Sequence, residues 1–370
     1  MNSDNSSKSN EAVLALAPKF SCLITCYNRE PFIRSVIENA FAQEFAPSLE
    51  IVIIDDCSTD RSWEIIQEMV TGYQGPFRVI HHRNTENRGL AGSINQGVAL
   101  ASGDWIVCME GDDIYPANRC TQVLEAVQKH PDILLIAGSC RNITQDGKPF
   151  SFRGYNDTAY TQAADIPESL LLSTPDERKH CALRTPGKPQ TSAYGTALSF
   201  HRKLYDVFGP IPETPRPLHD PTLELRALML GSVYGERQIV VDYRMHTTNL
   251  FNRTHSGDSK MRQLINGEKF WSKTVSYLLF SIQVNLADMD YCQRNHLSDW
   301  PDESFDQLRQ QRRSLLNAHQ LRYQWWECSW LERVRRIFRY RNRPANFKWW
   351  PIIRLVPLPL FALIKAAVKN

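Results

Sequence analysis

The first half of the chain alternates short apolar runs with segments in which apolar residues recur at helical spacing. The apolar runs predict strands that begin near residue 20 and then cover 49–54, 77–81, 105–109 and 133–137. Between the first two runs, Phe32, Val36 and Ala40 fall on one face of a helix. Strands that alternate with helices of this length predict βαβ units and a mostly parallel sheet flanked by helices.

The second half of the chain continues this pattern and then becomes helical. We expect a strand at 191–202, a helix that starts near Leu223 and an edge strand at 238–249 that closes the domain. The stretch 141–190 is polar, and a connection of that length is typical of a functional or disordered loop. Apolar residues recur at helical spacing from 259 to 320.

These patterns divide the chain into four predicted parts. They are a disordered tail at 1–18, an α/β domain at 19–255, a helical extension at 256–320 and a basic, aromatic tail at 321–370. The 370 residues, 42% of them hydrophobic, suffice for one large domain and an appendage. The net charge of +3 gives no general polycation of the kind that binds nucleic acid.

The spacing of the cysteines and the composition of the N-terminal residues indicate the cellular compartment of the protein. The nine cysteines contain no C-x-x-C pair. Cys22 and Cys26 share a face of the first predicted strand, where about 13 Å separates them, too far for a disulfide. We therefore expect reduced thiols and a cytoplasmic setting. The apolar patch at 12–17 is too short for a signal sequence, and no apolar run reaches the length of a membrane span.

An acidic cluster follows the fourth predicted strand. Glu110, Asp112 and Asp113 come directly after the apolar run, with Gly111 between the first two. Carboxylates this close repel one another unless a cation or a shared proton separates them. Because ligands of open α/β sheets bind beyond the ends of the strands, we expect a Mg²⁺-diphosphate site here. The alternative is a solvated acidic turn in which Asp113 caps the next helix.

Three predicted strands end near Thr25, Asp56 and Asp113, and these ends converge on one edge of a parallel sheet. The segment 84–97 opens a helix whose N-terminal amides can face an anion. A nucleotide fits such a crevice. The chain has neither G-x-G-x-x-G after the first strand nor G-x-x-x-x-G-K-[ST], so the motifs support neither a dinucleotide fold nor a P-loop.

Four motifs in order resemble the family 2 glycosyltransferases. They are Thr-Cys-Tyr-Asn-Arg-Glu at 25–30, Ile-Val-Ile-Ile-Asp-Asp-Cys-Ser-Thr-Asp at 51–60, Asn-Arg-Gly-Leu-Ala-Gly-Ser-Ile-Asn-Gln-Gly at 87–97 and Glu-Gly-Asp-Asp at 110–113. The resemblance covers about residues 19–255 and implies a GT-A type nucleotide-diphospho-sugar domain. Where the family often begins its D-x-D with aspartate, this chain has Glu110.

The resemblance also implies roles for individual residues. The predicted nucleotide-sugar-binding residues are Thr25, Tyr27, Asn28, Asp56, Arg88, Asp112 and Gly195, and the predicted metal ligands for Mg²⁺ or Mn²⁺ are Asp112, Asp113 and His246. The position of Asp220 matches the general base of inverting enzymes.

Three of these residues also have ordinary structural explanations. Asp220 can N-cap the helix that follows it. Gly195 lies in what resembles the family's small-residue strand beneath the donor sugar, or it marks a bulge in an ordinary strand. His246, in the sequence Tyr-Arg-Met-His, contacts the metal or diphosphate, or is a satisfied structural histidine.

The final fifty residues are basic and aromatic. Arginines at 333, 335, 336, 339, 341, 343 and 354 are unopposed by acids and interleaved with tryptophans at 325, 326, 330, 349 and 350. A basic helix with an aromatic, apolar side is typical of a membrane interface. Nucleic acid is the competing partner, but tryptophans beside a proline-broken apolar run favour lipid.

The sequence therefore predicts a peripheral enzyme on the cytoplasmic face of the cytoplasmic membrane. It would be a metal-dependent, inverting glycosyltransferase that moves a sugar from a UDP-linked donor to a lipid-linked or growing surface glycan. The absence of Q-x-x-R-W after Asp220 argues against a processive synthase. A sugar-nucleotidyltransferase and a non-catalytic, membrane-bound partner of another transferase are the alternatives.

Overall fold

The structure is a computed structural model that describes residues 19–45, 48–149, 170–183, 195–213, 218–246, 249 and 260–327. The predicted tail at 1–18 lies outside these residues, as do residues 328–370 of the tail predicted at 321–370 and residues 191–194 of the strand predicted at 191–202. The chain divides into two compact units, one of residues 1–246 and 280–312 and the other of 247–279 and 313–370. The domain boundaries inferred from the sequence stay a prediction.

The first unit contains an eight-stranded sheet. Its strands are β1 (Phe20–Cys26), β2 (Leu49–Asp55), β3 (Arg78–Arg83), β4 (Trp105–Glu110), β5 (Ile133–Ile143), β6 (Leu170–Leu172), β7 (Leu198–His201) and β8 (Ser232–Arg244). They lie in the order β3-β2-β1-β4-β7-β5-β8-β6. β7 is antiparallel to β4 and β5, and β6 is antiparallel to β8, whereas the other neighbours are parallel. The predicted mostly parallel sheet is confirmed.

Helices flank the sheet. They are α1 (Ile33–Phe41), α2 (Ser62–Gly72), α3 (Gly89–Leu100), α4 (Arg119–Lys129), α5 (Pro175–Leu183), α6 (Lys203–Phe208), α7 (His219–Leu230), α8 (Lys260–Arg294) and α9 (Asp302–Glu327). Successive residues of the buried strands belong to opposite apolar clusters, as Cys22 and Leu23 do in β1. One cluster contains residues of α3 and α7, and the other contains residues of α1, α2 and α4. None of the described helices has the length and apolar character needed to cross a bilayer.

The structure corrects several predicted elements. β8 is not an edge strand, because the short β6 pairs along its outer side. β6 and α5 both lie in the stretch 141–190 that was predicted to be a connection, and β5 runs to Ile143 rather than ending near residue 137. Gly195 lies in a 3₁₀ turn, Gly195–Ala197, and the strand begins only at Leu198. β6 and the 3₁₀ turn, of three residues each, are too short for a periodic pattern to identify.

The predicted N-cap at Asp220 is also wrong. α7 begins at His219 after Leu218, so Asp220 lies within the first helical turn, and no side chain caps this helix. Pro221 permits the earlier start, because a proline is tolerated in the first turn, where amides have no partner within the helix.

We expect Asp288→Ala to lower the free energy of unfolding by about 3–5 kcal/mol. The Asp288 carboxylate pairs with the Arg226 guanidinium at 2.8 Å, and Arg226 is 1% exposed, so the change leaves a buried cation without its partner. Urea unfolding measures the loss. Asp306→Ala is the control, because the exposed Asp306 carboxylate pairs with Arg309 at the surface and its loss should stay within about 0.5 kcal/mol. Equal losses in the two variants would contradict the expectation.

Candidate active site

The predicted acidic cluster forms at the carboxyl end of β4. One carboxylate oxygen from each of Glu110, Asp112 and Asp113 lies within 4.8 Å of the others. Gly111 makes this turn possible beside β1, because its amide donates to the Thr25 carbonyl at 2.9 Å and a Cβ there would lie only 2.9 Å from the same oxygen. The turn therefore brings the three acids to the edge where β1 also ends.

Asp112 is surrounded by cationic and hydrogen-bonding groups from distant parts of the chain. Its Oδ2 accepts from Arg29 Nε at 2.8 Å and lies 3.0 Å from His246 Nε2. Arg244 Nε donates to the Asp112 carbonyl oxygen at 2.8 Å. The Phe32 ring lies against both His246 and the Arg244 guanidinium, with centroid distances of 4.9 and 5.1 Å. His246 therefore contacts the acid through Nε2, and its role as a metal ligand stays a prediction.

Asp113 is fully buried behind Asp112. Its Oδ1 accepts from the Arg244 amide at 2.8 Å, and its Oδ2 accepts from Thr196 Oγ1 at 2.7 Å. Thr196 Oγ1 also hydrogen-bonds to the Tyr115 hydroxyl. These contacts hold the Asp113 carboxylate in one orientation, facing the two other acids.

The electrostatics of the three acids differ. Burial, and then the Asp112 charge, raise the pKa of Glu110 to about 8. Burial and the charges of Asp112 and Glu110 raise the pKa of Asp113 well above the usual range. Burial also acts to raise the pKa of Asp112, but His246 and Arg29 outweigh it, so that this pKa is lowered. The repulsion among the acids is what a bound cation would relieve.

The donor set fits a hard divalent cation. Mg²⁺ and Mn²⁺ take carboxylate oxygens, and Mg²⁺ usually combines one or two of these with phosphate oxygens of a substrate. Both hydrogen bonds of the Asp112 carboxylate to the described residues fall on Oδ2, so Oδ1 remains for a metal. Glu110, whose longer side chain departs from the family pattern, lies within the cluster together with the two aspartates.

Gly195 packs against Glu110 of this cluster and against His219, the residue that precedes Asp220. A Cβ on Gly195 would lie 2.3 Å from the His219 ring and 3.3 Å from Glu110 Oε1, so only glycine fits between them. The charge of Asp220 contributes to raising the pKa of Glu110, which indicates that the two carboxyl groups are near each other. Burial raises the pKa of Asp220 to about 7 and lowers that of His219 to about 4. Near neutral pH, His219 is therefore uncharged and Asp220 titrates.

The loops after β1 and β2 are joined by hydrogen bonds. Asn28 has a left-handed backbone with φ of 53°, its amide donates to Ser58 Oγ at 2.9 Å, and its Oδ1 accepts from the Thr59 amide at 2.8 Å. Thr25, one residue before the end of β1, is buried, whereas Tyr27, which follows the strand, is 42% exposed. Of these predicted nucleotide-binding residues, Tyr27 is the one with a free ring face to offer a base, whereas Asn28 shapes the loop.

Asp56 organises the start of α3. Its Oδ1 accepts from Asn84 Nδ2 at 2.8 Å and from the Arg88 amide at 2.9 Å, and its Oδ2 accepts from the Gly89 amide at 2.8 Å. A carboxylate at this position is favoured by the helix dipole and satisfies amides that have no partner within the helix. Asp56 therefore fixes the helix end that was predicted to face an anion.

Arg88, the predicted donor contact, is paired within the protein. Its Nε and Nη2 donate to Glu213 at 2.9 and 2.5 Å, and its Nη1 donates to Gln96 Oε1 at 3.0 Å. The Glu213 hydrogen bonds raise the pKa of the Arg88 guanidinium above its ordinary value. A donor phosphate that reaches Arg88 must therefore compete with the Glu213 carboxylate.

The sequence reasoning missed several residues of this site. They are Arg29, Tyr115, Thr196, Glu213, His219 and Arg244. Arg29 and Arg244 lie within motifs that the sequence analysis recognised. Their positive charge could therefore have indicated that they pair with the acidic cluster. Thr196 and Glu213 carry no such signal, because only the folded chain brings them to their partners.

Comparison with known proteins identifies the domain. Residues 21–178 match the family model "Glycosyl transferase family 2". An uncharacterised glycosyltransferase of Haemophilus influenzae is 32% identical over 116 residues, which are 31% of this chain and 37% of that protein. EpsH of Bacillus subtilis, provisionally named a glycosyltransferase, is 29% identical over 240 residues, which are 64% of this chain and 63% of EpsH. Residues 21–178 of this chain therefore match a family 2 glycosyltransferase domain.

The fold of the family 2 domain also has a relative of known structure. The crystal structure of S. aureus TarS 1–349 in complex with UDP-GlcNAc matches with a TM-score of 0.51 at 14% identity, covering 79% of this chain and 70% of that chain. This likeness concerns the fold, and the predicted GT-A type architecture is confirmed. The chain spans less than two thirds of the length of both the H. influenzae and the B. subtilis relatives.

We expect Asp220→Asn to raise the free energy of unfolding at pH 8 by about 1–4 kcal/mol. The pKa of Asp220 is about 7 in the folded protein and near 3.9 in an unfolded chain. As the pH rises from 4 to 7, the unfolded chain therefore releases this proton before the folded protein does, which destabilises the fold. Asparagine carries no charge and avoids this loss.

Urea unfolding at pH 8 and near pH 4 measures the effect. The gain in stability should be present at pH 8 and much smaller near pH 4, where the aspartate is protonated in the folded protein and already about half protonated in the unfolded chain. A gain of the same size at both pH values would mean that its origin is not the ionisation of Asp220.

Proposed function

We propose that the family 2 domain is a metal-dependent, inverting glycosyltransferase that uses a nucleotide-diphosphate sugar as its donor. The observation that carries this proposal is the cluster of Glu110, Asp112 and Asp113, within 4.8 Å of one another, beside the partly buried Asp220. Metal-assisted sugar transfer with a general base needs two chemical elements. One is a group of carboxylates that bind a cation, and the other is a neighbouring carboxyl group whose pKa is near neutral.

The first element is the cation site. Mg²⁺ or Mn²⁺, held by Glu110, Asp112 and Asp113, would supply positive charge to the diphosphate as it leaves. Arg29 and His246 hold Asp112 in place and keep it ionised. Thr196 and the Arg244 amide orient Asp113. These neighbours pre-organise the acids, so that little rearrangement is needed when the donor binds.

The second element is the base. In the proposed reaction Asp220 accepts the proton of an acceptor hydroxyl while that oxygen forms a bond to the anomeric carbon of the donor. The bond between this carbon and the diphosphate oxygen breaks, and the nucleoside diphosphate departs with the electron pair. A pKa of about 7 suits the task, because a base is most effective when its pKa lies near the working pH.

The donor is proposed to be a UDP-sugar. The exposed ring of Tyr27 offers a stacking surface for a base. Asp56, whose amide donates to the Cys26 carbonyl at 2.8 Å, holds the start of α3 at Arg88. UDP is favoured over GDP and dTDP, and UDP-GlcNAc, which is bound by TarS in its crystal structure, is the first donor to test. The acceptor is proposed to be a hydroxyl on a lipid-linked or growing surface glycan.

We propose a membrane-surface location on the basis of the tail at 321–370. Its arginines and tryptophans suit the anionic interface of the cytoplasmic face. A lipid-linked acceptor would then meet the active site at the membrane surface.

We expect Glu110→Gln and Asp112→Asn each to lower kcat/KM for sugar transfer by at least about 100-fold, because the cation contributes several kcal/mol and 1.36 kcal/mol is tenfold in rate. Release of UDP from UDP-sugars, measured with Mg²⁺, with Mn²⁺ and after chelation, gives the rates. Glu125→Gln on the exposed face of α4 is the matched control and should keep the wild-type rate.

Full activity in the chelated enzyme would reject the metal-dependent mechanism. If all variants keep the wild-type cellular function while none turns over any donor, the non-catalytic partner becomes the better interpretation.

We expect charge reversal of the tail to release the protein from anionic vesicles. The combined change Arg335→Glu, Arg336→Glu and Arg339→Glu should cut binding by at least tenfold, since each basic residue near the surface contributes about 1 kcal/mol. Co-sedimentation with phosphatidylserine vesicles measures binding, with neutral vesicles in parallel. The control reverses three exposed charges elsewhere, Lys129→Glu, Lys203→Glu and Arg294→Glu. Equal losses in the two triple variants would argue against the tail as the membrane contact.

A further inference from the structure

Helix α7, which carries the candidate base near its start, has no cap of its own. Leu218 precedes the helix and offers no side-chain oxygen to the free amides of the first turn. Asp220 lies in this turn, so any looseness at the helix start would move its carboxylate directly. The position of the start must therefore be held by another element.

Helix α8 fixes the start of α7 through a hydrogen bond. Ser281 Oγ accepts a hydrogen bond from the Leu218 amide at 2.8 Å. Ser281 is 2% exposed, so water cannot readily replace this bond. Both residues belong to the first compact unit, which includes residues 280–312 of the helical extension. The contact lies two residues before Asp220.

A second contact fixes α7 further along. Arg226 Nε donates to Asp288 Oδ2 at 2.8 Å, Arg226 Nη2 donates to Asp288 Oδ1 at 3.3 Å, and Arg226 Nη1 donates to the Gly209 carbonyl at 2.8 Å. Ser281 and Asp288 are seven residues apart, close to two helical turns, so both lie on one face of α8. Leu218 and Arg226 have nearly the same spacing along α7. Two anchoring points define the direction of α7 as well as its position.

Apolar packing closes the space between the anchors. Met289 and Cys292 of α8 belong to the same buried cluster as Leu223, Leu225 and Leu228 of α7. Because these surroundings exclude water, each of the two polar contacts is needed: a buried polar group without its partner is costly.

We propose that Ser281 is a positioning residue for Asp220, and that the α8 segment at 280–294 is therefore a working part of the active site. The inference rests on the proposed role of Asp220 as the base. Ser281 touches no reacting atom. It holds the Leu218 amide, and with it the first turn of α7, at the place from which the Asp220 carboxyl group reaches an acceptor hydroxyl.

Ser281→Ala tests this role in the full-length protein. We expect kcat to fall about tenfold with KM for the donor unchanged, because small misplacements of a reacting group cost up to about 100-fold in rate. Ser281→Thr, which keeps the hydroxyl, should recover most of the rate. Ser281→Cys, which keeps the size but is a weak acceptor, should behave like alanine and replaces it if Ser281→Ala does not fold.

Ser304→Ala is the matched control. Ser304 is a buried serine of α9, and its hydroxyl has no hydrogen-bond partner among the described residues. Its removal should leave kcat and KM at wild-type values. Equal effects on kcat from the Ser281 and Ser304 changes would overturn the inference, since a general loosening of the extension would then explain both.

A double-mutant cycle separates this inference from the function on which it rests. In an Asp220→Asn background, Ser281→Ala should cause no further loss, because a positioning residue acts through the group that it positions. A further tenfold loss there would overturn the inference. If Asp220→Asn itself keeps the wild-type rate, the proposed base is wrong, whereas an inactive Asp220→Asn together with a fully active Ser281→Ala rejects only the role of Ser281.

Discussion

Mutual repulsion among three carboxyl groups at the end of β4 is the constraint on which this site depends. Glu110, Asp112 and Asp113 approach within 4.8 Å in a place with little water, where charges are screened much less than at a surface. Such an arrangement persists only if cations, protons or hydrogen-bond donors offset it. The chain supplies some donors itself, and burial together with the remaining repulsion raises the pKa values of Glu110 and Asp113.

The offsetting groups come from the two ends of the domain. Arg29 follows β1, while Arg244 and His246 end β8, and these residues meet at Asp112 and Asp113. The sheet makes this possible, because β1 is paired with β4 and Ile114 forms a bridge with Asp242 of β8. Folding of the whole sheet is therefore a condition for the acids to be close together.

A second carboxyl group of different character lies near the first three. Asp220 has no cation beside it among the described contacts, and burial alone raises its pKa to about 7. Neutral His219 fills the space against Gly195 without adding charge. A protein can give neighbouring titratable groups different roles, such as acid, base or metal ligand, by placing them in environments that shift their pKa values apart. Helix α8 contacts the helix that carries Asp220 through the Leu218–Ser281 and Arg226–Asp288 hydrogen bonds.

The sequence by itself determined the strands and helices from β1 to α4 and the edge at which the acids collect. Long apolar runs and helical periodicity identify those elements, and the carboxyl ends of parallel strands share one edge, so Thr25, Asp56 and the acids after β4 had to meet. Only the tertiary structure decided the insertion of β7 between β4 and β5, the addition of β6 beyond β8, and the start of α7 at His219. It also decided the pairings Thr196–Asp113, Arg88–Glu213 and Leu218–Ser281. A periodic pattern records which face of an element is buried, but it does not record which distant residue lies opposite, because that partner is chosen by the packing of the whole domain.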